Sequence, residues 1–360
     1  MYVVTNRHVD ESTTGVAQFG GRPNAKGNNE LRLAEVNKHG PGWSVEFVDD
    51  QLSQVEVDNL IREFHLPIES DAPQYGSLKA ACEIFRRIRD NKSDLLLFVH
   101  GYNNEMRDVL EAAHQLQQRF GVEVLAFSWP ALGGGIEGTL NYKADKRTAR
   151  ASAGALERAI KIMHERFDLI TRGDRDRLRE KAKKEHPDNP EAREARYAQL
   201  VEKQCPFTIN AMYHSMGNYL LKHMLKSTAN EGNPLLFDNV VLCQADTNHL
   251  DHEDWVDTIR FRKRLFITIN EDDRALNASR LKLGSDQLAR LGHYAKDLTS
   301  RHAHYINLTN AAHVKDSHSP FAEPAEKNDK LATFFRQAFS GEAAERKLRY
   351  FPEGNWYGPR

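Results

Sequence analysis

Cysteine is scarce in this sequence, net charge is nearly absent, and no long apolar run occurs. Each absence excludes something. Cys82, Cys205 and Cys243 are an odd, scattered set without CxxC spacing. Such a set argues against a disulfide framework or a structural zinc site, and fits reduced, buried thiols in a cytoplasmic protein. The 50 Lys and Arg are offset by 51 Asp and Glu, leaving a formal charge of −1; the electrostatic footprint of a nucleic-acid binder is missing. Nothing approaches the roughly 18 consecutive apolar residues of a membrane span. The opening MYVVTNRHVDESTT lacks the basic segment and apolar stretch of a secretory signal.

What is present is the material of a large α/β protein. With 360 residues, 40% of them hydrophobic, the chain can bury a sizeable core. Apolar runs read as strands at 2–5, 43–48, 95–99, 122–129, 207–213, 239–244, 264–269 and 305–308. Helical stripes fall between them at 77–89, 109–120, 149–167 and 216–226, with a last one at 324–339. Alternation of this kind predicts a mostly parallel open sheet with helices on both faces, and one domain over residues 1–360. Residues 1–90 hold the first strands and helix, Gly20 to Asn29 reads as a loop, and 340–360 as a tail, docked or loose. One stretch breaks the rhythm. From Thr171 to Gln204 apolar residues nearly vanish, and Pro187 and Pro190 divide a mixed-charge run into two expected helices. This is a solvated excursion or a lid.

The chemistry centres on Tyr213-His214-Ser215-Met216-Gly217, between an apolar run and an amphipathic helix. A serine at a sharp strand-to-helix turn is exposed for attack, beside the free N–H groups of a helix start. Gly217 supplies one of the two small residues such a turn uses; Tyr213 stands where the other is expected. Leu95 to Asn104, LLLFVHGYNN, is a strand ending in His-Gly. Gly101 permits close backbone approach, and the N–H groups of Tyr102 and Met216 are the candidate oxyanion donors. An acid is expected past a later strand end, at Asp272, Asp273 or Asp246. A base is expected in the polar loop NAAHVKDSHSPFAE, at His313 or His318.

The ordered set VHGYNN, FSWPALGG, YHSMGN, NEDDRAL and SHSPF resembles the bacterial α/β-hydrolases of the DUF900 group, whose function is unknown. The likeness runs from about Leu95 to Phe335, and the opening YVVTNR is similar to the family's first strand. It implies an α/β-hydrolase fold, with Ser215 as nucleophile, Asp273 as acid and His318 as base. FSWP looks like a pocket wall, with core packing as the plainer role for Trp129. The implied activity is hydrolysis of a small ester or other acyl substrate through an acyl-enzyme, with no metal or organic cofactor. Acyl transfer by the same residues, or ligand or partner binding without catalysis, are the other readings. Oligomeric state is not encoded in these motifs. Tyr213 implies an elbow strained at Ser215, with the tyrosine ring directed away from Gly217 and packed outward.

Overall fold

The computed structural model describes residues 1–69, 71–133, 142–203, 207–226, 233–281 and 289–359. Cys205 lies outside them. In chain order the strands are β1 (Tyr2–Thr5), β2 (Arg7–Val9), β3 (Phe19–Pro23), β4 (Arg32–His39), β5 (Gly42–Phe47), β6 (Leu95–Val99), β7 (Glu123–Ser128), β8 (Ile209–His214), β9 (Asn239–Cys243), β10 (Arg264–Ile269), β11 (Ala303–Asn307), β12 (Arg349–Phe351) and β13 (Trp356–Gly358). The helices are α1 (Gln54–Phe64), α2 (Gly76–Asn91), α3 (Met106–Phe120), α4 (Tyr142–Ala151), α5 (Ala153–Glu185), α6 (Pro190–Lys203), α7 (Met216–Leu225), α8 (Glu253–Val256), α9 (Arg274–Leu281), α10 (Glu323–Lys327) and α11 (Asp329–Phe339).

Among the described residues, eleven strands form one sheet in the order β12-β13-β11-β10-β9-β8-β6-β7-β1-β4-β5. From β1 through β13 the pairings are parallel, and only the flanking pairs β1–β4, β4–β5 and β12–β13 are antiparallel. Burial on both faces explains why the central strands read as unbroken apolar runs. Along β6, Leu95, Leu97 and Val99 enter one core, with side chains of α2, α5 and α7, while Leu96 and Phe98 enter the other, with α3 and α11. That alternation is the two-residue period of a strand.

The structure differs from the sequence reading at the margins. Within the expected loop at Gly20 to Asn29, Gly20 to Pro23 belongs to β3, paired with β2. The final segment is docked: β13 pairs with β11 through Ile306 and Tyr357. The helix expected at 324–339 breaks at Asn328, whose side chain caps α11 by accepting from the N–H groups of Lys330 and Leu331.

The charged excursion does not begin a new helix at Thr171. It prolongs α5, which runs for 33 residues, about 50 Å at 1.5 Å per residue, against roughly 20 Å for a strand of the sheet. Arg166 Nε donates to Ser77 Oγ, Phe167 packs on Phe207 just before β8, and Gly173 abuts the carbonyl of His65. The charged half of α5 therefore lies past the N-terminal ends of the strands. There it folds back with α6 around a small core of Leu178, Ala182, Leu200 and Tyr197.

Candidate active site

Ser215, Asp273, His318 and Gly101 all follow the C-terminal ends of parallel strands, where open α/β sheets place their ligand sites. Ser215 joins β8 to α7 at φ 53° and ψ −121°, a conformation that L-residues avoid. The turn is braced: Ser215 N–H donates to Cys243 O, and Ser215 O accepts from the N–H groups of Asp246 and Asn218. A Cβ on Gly217 would lie 2.8 Å from Val99 O and 2.9 Å from His100 O. The crowding that demands a glycine thus comes from β6. Tyr213 is accommodated because its ring enters the core shared with Met216 and Leu220 and is 2% exposed. It is packed inward, a correction to the outward ring expected, and burial raises its hydroxyl pKa.

Asp273 is fully buried yet well served. Its Oδ1 accepts from the N–H groups of Ala275 (2.9 Å) and Leu276 (3.0 Å), and its Oδ2 from Gln244 Nε2 (3.1 Å) and His318 Nδ1 (2.7 Å). Burial pushes the carboxyl up, but His318, the Leu276 N–H and Gln244 together hold it below the usual carboxylate value. Since an ionised carboxylate only accepts, Nδ1 of His318 carries the proton of this bond, and Nε2 is the nitrogen that would accept in the neutral ring. His318 is in turn fixed by its neighbour across the sheet edge. His214 Nε2–H donates 2.8 Å to His318 O, and the two rings are 4.8 Å apart. Burial, and then the repulsion a protonated His318 would exert, lower the His214 pKa to about 3.

Ser215 is 2% exposed, and among the described residues its hydroxyl has no hydrogen-bond partner; His318 bonds to Asp273 but not to Ser215 Oγ. Catalytic hydrogen bonds are often long without substrate and tighten only in the complex. The other candidates stand elsewhere. Asp272 and His313 are exposed. Asp246 is buried in a separate network, where its Oδ1 lies 3.2 Å from Arg290 Nε and accepts from Ser279 Oγ, while its Oδ2 accepts from Tyr142 OH.

The loop after β6 approaches the serine closely: a Cβ on Gly101 would lie 2.7 Å from Ser215 Cβ. His100, 1% exposed, turns back on this loop. Its Nδ1 lies 2.6 Å from Gly101 O, and its Nε2 accepts from the Trp129 N–H at 3.2 Å. Burial, and then the charge of Arg7, lower the His100 pKa to about 3. The ring is therefore neutral, with its proton on Nδ1. Because Gly101 O is tied to this proton and the next peptide is trans, the Tyr102 N–H points to the opposite side. Trp129 is fully buried, stacks on His100 with rings 5.2 Å apart, and donates its indole N–H to His100 O. It is a clamp on the loop rather than a pocket wall. Met216, first residue of α7, offers one of the N–H groups that a helix start leaves without an intrahelical partner.

His100, His214, Gln244 and Arg7 were not singled out from the sequence. His100 and His214 flank the Gly and Ser of the two motifs, which is the only signal they carry. Among the described residues no group of three or more His, Cys, Asp or Glu is arranged to hold a metal ion, and no helix is long and apolar enough to cross a membrane.

No curated protein and no solved structure matches the chain. A family model does: DUF900, alpha/beta hydrolase of unknown function, matches residues 78–170 and 184–333, and its interruption falls in the charged half of α5. Covering more than half of the sequence, this match shows that the chain belongs to the DUF900 family of α/β-hydrolases.

Proposed function

We propose that the protein is a carboxylesterase-type serine hydrolase, a single α/β-hydrolase domain acting on a small ester or related acyl compound. Ser215 Oγ attacks the acyl carbon while Nε2 of His318 takes its proton. The leaving alcohol departs with that proton, and water repeats the sequence on the acyl-enzyme to release the acid and restore the serine. Asp273 holds the His318 ring in the tautomer this requires. The N–H groups of Met216 and Tyr102 stabilise the tetrahedral oxyanion, a contribution of about 3 kcal/mol for one such donor. The observation that carries the reading is the 2.7 Å bond between His318 Nδ1 and Asp273 Oδ2, on a loop held against the residue preceding the strained serine. Reduced Cys82 and Cys243 favour a cytoplasmic setting.

Treatment with a fluorophosphonate, followed by mass spectrometry, tests the proposal. Label on Ser215 that disappears in His318→Ala supports the triad. Folded protein with Ser215 unlabelled instead favours a hydrolase fold retained for binding, the reading to which the unpartnered serine hydroxyl would then belong.

A further inference from the structure

Arg7 is a large cation sealed inside the site's surroundings, and the hydrolysis mechanism makes no use of it. Its side chain is 1% exposed, and it donates to two loop carbonyls and to one residue each of β7 and β3. Nη2 donates to Asn104 O (2.8 Å), Nη1 to Ala131 O (3.0 Å) and more weakly to Gly20 O (3.4 Å), and Nε to Ser128 Oγ (2.9 Å). No carboxylate lies within ion-pair distance among the described residues, although Asp145, Glu105 and Asp108 contribute favourable field.

The polarity of the chain that leaves Nε is forced. A guanidinium only donates, so Ser128 Oγ receives that bond on a lone pair and is free to direct its own hydrogen at His100 Nε2, 3.4 Å away. The Trp129 N–H donates to the same nitrogen. With Nε2 an acceptor, the His100 proton sits on Nδ1 and is given to Gly101 O. Both donors to Nε2 belong to the segment 128–131 that Arg7 holds at Ser128 and Ala131. The rest of the oxyanion loop is pinned as well: Asn104 Nδ2 donates to Tyr102 O, and the Asn103 N–H donates to Asp145 Oδ2. Arg7 fixes the far end at Asn104 O.

We propose that Arg7 is a positioning residue for the oxyanion hole, acting through Ser128 and His100 to hold the Gly101–Tyr102 peptide with its N–H turned toward the developing charge. The inference rests on the hydrolase reading for its kinetic consequence, but not for its structural one.

Two variants test it, Arg7→Lys and Ser128→Ala. Both are assayed by p-nitrophenyl acetate hydrolysis and by the ¹⁵N resonances of His100 in the intact chain. Wild type should show His100 protonated at Nδ1. Arg7→Lys should lower kcat by about 10-fold or more with KM little changed, as for a weakened oxyanion donor, and should shift the His100 nitrogens toward a mixture of tautomers. Ser128→Ala leaves the carbonyl bonds of Arg7 in place and carries the test should Arg7→Lys not fold. It should move the Nε2 resonance and lower kcat several-fold. Folded variants with wild-type kcat and unchanged His100 signals would overturn the proposal. If wild type neither hydrolyses the ester nor labels with fluorophosphonate, the hydrolase reading fails instead, and the His100 signals alone then decide whether Arg7 sets this peptide.

Discussion

Oδ2 of Asp273 accepts from two side chains at once, His318 at 2.7 Å and Gln244 at 3.1 Å, while its other oxygen takes two backbone N–H groups. The carboxylate is anchored from three sides, so the His318 ring is held by a rigid partner. Asp273→Asn keeps the shape but offers an amide that can donate, which favours the wrong imidazole tautomer. Turnover of p-nitrophenyl acetate should fall on the order of 10³-fold or more, with a small change in melting temperature. Retained turnover would move the acid's role to another carboxylate.

Acid sensitivity should come from histidines held neutral. His100 and His214 are lowered to about 3, first by burial, whereas in the unfolded chain each titrates near 6.5. Between those values the unfolded state binds more protons, so stability falls as the pH drops from about 6.5 toward 3. His214→Gln keeps a donor for His318 O and removes one titration. Its urea-unfolding free energy plotted against pH should have a shallower acid limb than wild type; an identical limb would show that His214 does not stay neutral in the fold.

Gly217 of the elbow and Gly101 of the loop after β6 should separate stability from reactivity. Gly217→Ala places a methyl against two backbone carbonyls, which cannot step aside, and should cost about 1–3 kcal/mol in denaturant unfolding. Gly101→Ala meets the Ser215 side chain at 2.7 Å. Displacing that side chain should slow fluorophosphonate labelling more than it lowers the unfolding midpoint. The reverse order would place the tight contact at Gly101 in the scaffold rather than the chemistry.

Much of this site was legible because strand ends and turn residues are local signals. β6 and β10 match their expected bounds residue for residue, since strands buried on both faces are mostly apolar along their length. The edge was harder. β3 includes two glycines and a proline, and β4 alternates around Asn37 and Lys38, so neither stands out from loop composition. Asp273 and Asp246 both follow strands, so chain position left them open and only the family resemblance favoured Asp273; in the structure Asp246 pairs with Arg290 and Asp273 with His318. Arg7 was unreadable for a different reason. Its partners are mostly backbone carbonyls, up to 124 residues away in the chain, and a carbonyl has no sequence signature.

Strain at Ser215 should appear as stability when it is released. Ser215 is held at φ 53°, and its hydroxyl has no bond to lose among the described residues. Ser215→Gly removes the Cβ clash of this conformation at some cost in unfolded-chain entropy, for a net gain of about 1 kcal/mol. Ser215→Ala retains the Cβ and should gain less. Neither should hydrolyse ester, and a higher unfolding midpoint for Ser215→Gly than for Ser215→Ala reports strain that exceeds the entropy cost of glycine. A midpoint for Ser215→Gly below that of Ser215→Ala would mean the elbow is relaxed.

The charged hairpin should be energetically separate from the site. Leu178 and Leu200 join the distal half of α5 to α6 past the N-terminal ends of the strands, whereas Ser215 lies past the C-terminal ends. Leu178→Ala removes most of one partner from a core of very few side chains, a loss of about 2–3 kcal/mol that the hairpin bears locally. Amide exchange should quicken from about residue 175 to 200 while exchange in β6 and β8 stays slow, and the rate of p-nitrophenyl acetate hydrolysis should not change. A fall in that rate would couple the hairpin to the Ser215 edge through α5, which follows directly on α4, the helix whose Asp145 accepts from the N–H of Asn103.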